Sequence, residues 1–117
     1  MATAAYWQRG EALDYTNSGE TAIPVNTIVA IGSRIGITGA PIAPSETGVL
    51  HVGGVWEMPK TGTAAISMGT VVYFDGIGIT DTANNGAQTD PVSYIEAGYA
   101  AETVAASATK ILVKLRG

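Results

Sequence analysis

One phrase occurs twice in this chain, as "AIPVNTIVAIGSRIGIT" at 22–38 and as "AISMGTVVYFDGIGIT" at 65–80. The stretch 17–31 aligns without gaps to 60–74, and both copies end in "IGIT". Such a repeat predicts two copies of one β unit, which pack their apolar faces together because neither can bury its face alone. The alternative is that the two segments are similar by chance, because a β-rich chain with few charges draws on few residue types. In either case the repeat predicts architecture and gives no indication of chemistry.

The repeat belongs to a wider pattern of short segments rich in β-branched and aromatic residues. These segments are "TIVAI" at 27–31, "VLHV" at 49–52, "TVVYF" at 70–74, "VSYIEAGY" at 92–99 and "KILVKL" at 110–115. Alternation with period two, bounded by Gly and Pro turn residues, is typical of β-strands. We therefore predict an all-β fold, either a small β-barrel or a sandwich of short strands.

The length of 117 residues fits one domain, which buries roughly two thirds of the surface that the unfolded chain exposes. We predict an extended N-terminal arm over residues 1–16 and a single β domain over 17–117. Within that domain the repeat-like units span about 17–59 and 60–104, and a final strand covers 110–115.

The composition is poor in charge. Charged residues make up 14% of the chain and the net charge is −4, whereas a globular domain usually contains about a quarter charged residues. Either the surface is unusually neutral or other chains cover part of it, and we favour the second interpretation. The six basic residues are scattered in sequence, which argues against a nucleic-acid partner, because phosphate contacts need clustered Lys and Arg.

Sequence signals for membrane and secreted proteins are also missing. The chain has no cysteine, so it forms neither disulfides nor thiolate metal sites. The N-terminal sequence lacks the basic end and apolar run of a signal peptide, and no stretch reaches the ~20 apolar residues of a membrane helix. We therefore expect no membrane partner.

The sequence also contains no convincing motif for catalysis or metal binding. His51 is the only histidine, and a lone histidine in a strand is more often structural than catalytic. The stretch "DTANNGAQTD" at 81–90 partly matches a calcium loop, but Ala83 occupies a ligand position, so a turn at Asn85-Gly86 is the better interpretation. No Gly-Lys-Ser/Thr sequence forms a phosphate loop. We expect no enzyme activity, no metal and no cofactor.

Aromatic residues cluster near the N-terminus. Tyr6, Trp7 and Tyr15 bracket "QRGEALD", which contains Arg9. Aromatic side chains and Arg are typical anchors of buried interfaces, and an extended arm can add to the sheet edge of a partner. These four residues are the candidate interface; the alternative is that they cap one end of the β domain. For Trp56 we expect a place in the core or at the barrel mouth.

Three stretches resemble a known family. They are "YWQRGEALDYTNSG" at 6–19, "IAPSETGVLHVGGVWEMPKTGTAAISMGTVVYFD" at 42–75 and the final "KILVKL". Across nearly its whole length the chain resembles the DUF2190 family of tailed-phage capsid cement or head decoration proteins. The most specific part lies in the central stretch, which consists of packing and turn residues.

The resemblance implies a structural role on the outside of the assembled phage head, where a cement protein ties neighbouring capsid subunits together by non-covalent contacts. The partners implied are the major capsid protein and further copies of the chain, with a homotrimer favoured over a dimer by analogy with decoration proteins. The implied location is the capsid exterior of the virion, after synthesis in the cytoplasm of the host bacterium. The family has no established catalytic residues to transfer.

Another virion-associated or carbohydrate-binding β module is the alternative function. A sugar site needs exposed aromatic side chains on one face, and the candidates are Trp56 with Tyr73 or Tyr99.

Overall fold

The computed structural model describes residues 2–6 and 8–116, which form nine β-strands and no helix. The strands are β1 Ala12–Thr16, β2 Ile28–Ile31, β3 Arg34–Thr38, β4 Thr47–His51, β5 Val55–Pro59, β6 Val71–Phe74, β7 Ile79–Thr80, β8 Ile95–Ala100 and β9 Lys110–Leu115. The all-β prediction is confirmed. The five segments expected to be strands correspond to β2, β4, β6, β8 and β9.

The strands form two antiparallel sheets. The four-stranded sheet has the order β1-β4-β3-β2, and the five-stranded sheet has the order β5-β9-β8-β6-β7. Neither sheet closes on itself, so the architecture is sandwich-like and not a closed barrel. Of the two forms predicted from the sequence, the sandwich is therefore the one that the chain adopts.

The core lies where the two sheets face each other. Alternation along β9 buries Ile111, Val113 and Leu115, and Ile37 of the four-stranded sheet belongs to the same buried cluster. Burying each such side chain contributes about 1.5–3 kcal/mol. Trp56 is partly buried against this cluster, and its indole Nε1 donates to the Gly53 carbonyl at 2.8 Å. Trp56 therefore has the packing role expected from the sequence.

The repeated phrase has the same local geometry in both places. Ile23 and Ile66 each form an isolated antiparallel bridge to a residue further along the chain. Three positions after each bridge, Asn26 has a φ of 62° and Gly69 a φ of 92°. Strands β2 and β6 begin two positions later. Left-handed backbone at the third position of a tight turn favours Gly or Asn, which explains the residue found there in each copy.

The bridge partners begin a similar turn. Ile42 pairs with Ile23, and Val104 pairs with Ile66. Ile42 leads through Ser45, whose φ is 66°, into β4, and Val104 leads into β9. In both copies the bridge therefore joins two segments that each lead through a turn into a strand.

A buried polar side chain begins each copy of the repeat. Asn17 donates from Nδ2 to the carbonyls of Thr21 and Ile42 at 2.9 and 3.0 Å. At the matching position, Lys60 donates from Nζ to the carbonyls of Gly62 and Ala106 at 2.6 and 3.2 Å. Buried polar groups require such partners. Lys60 is thus a structural lysine and does not contribute a charge to the exposed surface.

Candidate interaction surface

The described part of the N-terminal arm is exposed throughout. Residues 2–6 and 8–11 are all exposed, and Tyr6 exposes 82% of its surface. Arg9 Nη2 lies 3.7 Å from Glu11 Oε1, in an exposed ion pair that contributes little stability. Trp7, the remaining arm residue of the predicted interface, lies outside the described residues.

The last part of the predicted arm is a strand of the sandwich. Residues 12–16 form β1, which pairs with β4 from Ala12 opposite His51 to Thr16 opposite Thr47. Tyr15 is partly buried in this strand, at the edge of the four-stranded sheet. The structure therefore separates the predicted interface residues, because Tyr15 belongs to the sandwich whereas Tyr6 and Arg9 lie on the exposed arm.

The chain exposes more surface than a compact monomer of its size. Its accessible surface is 7404 Å², against about 6,000 Å² expected for a folded chain of this mass. Its radius of gyration is 15.7 Å, against about 13 Å for a compact domain. The excess surface, on the order of 1,400 Å², is comparable to the total area buried in a standard protein interface.

The four-stranded sheet has an opening close to Glu11, where the arm joins the sandwich. Strands β3 and β4 pair only at Ile37–His51 and Thr38–Leu50. Where they diverge, an opening of about 200 Å³ has apolar and basic walls. We call it the Arg34–Arg116 slot, and its lining residues are Leu13, Ile31, Arg34, Ile35, Val52 and Arg116.

Two arginines from distant parts of the sequence meet at this slot. Arg34 and Arg116 also line an adjoining opening of about 490 Å³. The Arg116 guanidinium pairs with Glu96, whereas Arg34 forms no ion pair with another described residue. The basic residues are scattered along the sequence, but the fold concentrates two of them at one place.

A family model described as "phage cement protein" matches residues 7–115. The chain belongs to the phage cement protein family. The match covers all nine strands and confirms the resemblance to capsid cement proteins. It gives the chain a structural role in the phage capsid. The chain has no significant match among curated proteins or among solved structures.

The outer face of the five-stranded sheet in this cement-family chain carries one row of mostly apolar side chains. The row runs through Val55, Lys114, Tyr99 and Val71, of which Val55, Tyr99 and Val71 expose 54%, 46% and 44% of their surfaces. Trp56 follows Val55 in β5 and lies on the opposite face, against the core. Trp56 and Tyr99 therefore do not form the single aromatic platform that a sugar site would need.

The loop at 81–90 has the geometry of a turn. Gly86 has a φ of 75°, and Asn85 Oδ1 accepts from the backbone N–H groups of Ala87 and Val92, both at 3.1 Å. Among the described residues, no group of three or more His, Cys, Asp or Glu side chains is arranged to hold a metal ion. The part of the chain that the structure describes also contains no helix suited to crossing a membrane.

The turn between β6 and β7 presents Ile77, which exposes 79% of its surface, and Asp75 holds this turn in place. Asp75 Oδ1 accepts from the N–H groups of Ile77 and Gly78 at 2.9 and 2.8 Å, and Thr61 donates to Oδ2 at 2.6 Å. Burial by itself would raise the pKa of Asp75, but these hydrogen bonds favour the carboxylate and hold the pKa below its usual value.

We expect Asp75→Ala to lower the free energy of unfolding by about 1–3 kcal/mol, because it removes the acceptor of three hydrogen bonds. Asp75→Asn keeps one acceptor oxygen and should lose less. The depressed pKa means that the carboxylate stabilises the fold above its ordinary pKa of 3.8 and loses this effect as the pH falls through the lower, folded value. Urea denaturation at neutral and acidic pH measures both effects. A difference between wild type and Asp75→Asn that grows on acidification would contradict this role.

Proposed function

We propose that this chain binds the outside of an assembled phage capsid and stabilises it through non-covalent contacts with the major capsid protein. The observation that carries this proposal is the match of the cement family to residues 7–115. The exposed arm beside a compact sandwich supports it, since both offer surface that a single chain leaves uncovered. In this function the chain acts as a structural protein and not as an enzyme.

The arm is the proposed clamp. Ten residues in fully extended conformation reach at most roughly 33 Å, so a segment of this length is long enough to contact a neighbouring subunit. Tyr6, Trp7 and Arg9 are the proposed anchors, because aromatic and Arg side chains contribute most to interface affinity. Tyr15 would contribute from the edge of the four-stranded sheet.

We further propose that the chain acts as a homo-oligomer, with a trimer favoured over a dimer. The low charge and the excess exposed surface support self-association. An oligomer that contacts several capsid subunits at once gains avidity from each added contact, so modest individual interfaces produce slow release. Neither nucleic acid nor a membrane is a partner in this proposal.

Decoration of undecorated phage heads tests this function. Purified chain is added to heads that lack it, and the heads are then challenged with heat or with a chelator. We expect decorated heads to survive conditions that open bare heads. Heads that bind no chain and gain no resistance would contradict the proposed function, and heads already carrying the protein serve as the control.

A further inference from the structure

We propose that the Arg34–Arg116 slot receives the Tyr6 side chain from the arm of a second copy of the chain. This inference rests on the proposed function in one respect, namely that the arm is an interface. It adds the place where the arm docks and the residue that enters.

The chemistry of the slot suits one aromatic side chain. Leu13, Ile31 and Val52 provide apolar walls, and the volume is about 200 Å³. This is below the roughly 300–1,000 Å³ of sites for cofactors and drug-sized ligands. Arg34 and Arg116 also line the slot, and an Arg guanidinium is attracted to the face of an aromatic ring within about 6 Å. The slot thus combines apolar burial with a cation for the ring.

Tyr6 has the properties that the slot requires of a bound side chain. It is the most exposed of the large hydrophobic side chains in the described part of the chain, at 82%. A Tyr side chain buries about 150–250 Å² when it enters a site, and its hydroxyl remains able to reach a polar partner at the mouth. Ser33 and Ser93 line the adjoining opening and offer such partners.

The position of the arm root favours exchange between copies. The Val52 N–H donates to the Glu11 carbonyl at 3.0 Å, so the arm leaves the sandwich at the rim of its own slot. Tyr6 is exposed and is not among the residues that line this slot. Every copy therefore carries the base of its arm beside its own slot. Insertion of each arm into the next slot makes a head-to-tail contact, which closes into a ring when the rotation fits.

Cross-linking between two singly substituted chains tests the exchange, because the natural chain has no cysteine. Chains carrying Ala5→Cys are mixed with chains carrying Val52→Cys and treated with a short bis-maleimide reagent. We expect heterodimers linked between positions 5 and 52, identified by mass spectrometry of the joined peptides. The matched control replaces Val52→Cys by Ile77→Cys, an exposed position on the β6–β7 turn. Adding Tyr6→Ala to the arm chain should lower the yield at least tenfold.

A substitution that removes the charge of Arg34 tests whether this cation contributes to self-association. Arg34→Met removes the charge, retains an unbranched stem and breaks no ion pair among the described residues. Loss of a cation–π contact should weaken self-association roughly 2- to 30-fold, measured by light scattering over a dilution series. Lys110→Met, at an exposed position in β9, is the control and should leave self-association unchanged.

Three outcomes would overturn the proposal. They are a cross-linking yield at Val52→Cys no higher than at Ile77→Cys, a yield unaffected by Tyr6→Ala, or an Arg34→Met chain that loses head binding but associates with itself normally. The last result would assign the slot to the capsid protein. The proposed function is judged separately. If wild-type chain decorates heads, the proposed function is supported whatever the cross-linking result. If the chains cross-link as expected but never bind heads, only the proposed function is contradicted.

Discussion

Gly98→Ala is expected to prevent stable folding of the domain. Gly98 lies within β8 with a φ of 149°, and an added Cβ would lie 1.9 Å from the Lys114 carbonyl oxygen. It would also lie 3.0 Å from the Arg116 nitrogen. Both neighbours are backbone atoms at the β8–β9 pairing, where Gly98 lies opposite Leu115, so relief requires separating the two central strands. We expect a loss of at least about 4 kcal/mol, a large part of the 5–15 kcal/mol that stabilises a typical domain.

Urea unfolding followed by tryptophan fluorescence, to which the partly buried Trp56 contributes, measures this effect. Gly53→Ala is the matched control, since a Cβ at Gly53 meets no atom within 4 Å. That substitution should change the free energy of unfolding by less than about 0.5 kcal/mol. A Gly98→Ala chain that unfolds at the wild-type midpoint would show that β8 and β9 do not approach each other as described.

Deleting residues 1–9 is expected to leave the sandwich folded and to weaken assembly or head binding. The described residues of this segment are exposed and β1 begins only at Ala12, so the deletion removes no core contact made by those residues. An aromatic interface anchor contributes about 2 kcal/mol or more. Loss of the anchors should therefore weaken each contact at least ~30-fold, and the effect multiplies when several contacts act together.

The deletion requires two readouts on the same protein. The urea midpoint should match wild type, which shows that the domain is intact, while binding to undecorated heads and the solution mass are measured in parallel. Deletion of residues 1–4 alone, which retains Tyr6, is the control and should keep most of the binding. A chain lacking residues 1–9 that decorates heads as tightly as the full chain would show that the arm is not a clamp.

The strands that alternate strongly could be predicted from the sequence, and the pairing between strands could not. "KILVKL" buries every second residue in β9 as its pattern indicates. By contrast, β1 is hidden in the arm sequence because its pairing with β4 is a contact between distant residues. Likewise β7 has only two residues, too few for any pattern. The choice between barrel and sandwich depends on which edges pair, and that also lies beyond local patterns.

The repeated sequence likewise predicts only part of the structure. Asn26 and Gly69 occupy aligned positions of the repeat, and both have left-handed backbone. The related turn at Ser45 could not be predicted, since "IAPSE" shares little with "IPVNT" and Ser is uncommon with left-handed backbone. Arg34 and Arg116 are far apart in the sequence, and only folding brings them to one slot. The exposure of Tyr6 fits the extended arm that the sequence predicts.

Co-sedimentation of the purified chain with undecorated heads tests the central claim most directly, by counting bound chains per capsid subunit as the chain concentration rises. The account predicts saturation at a fixed simple ratio, with no further uptake by heads that are already decorated. Uptake that never saturates, or a chain that stays in the supernatant at every concentration, would contradict it.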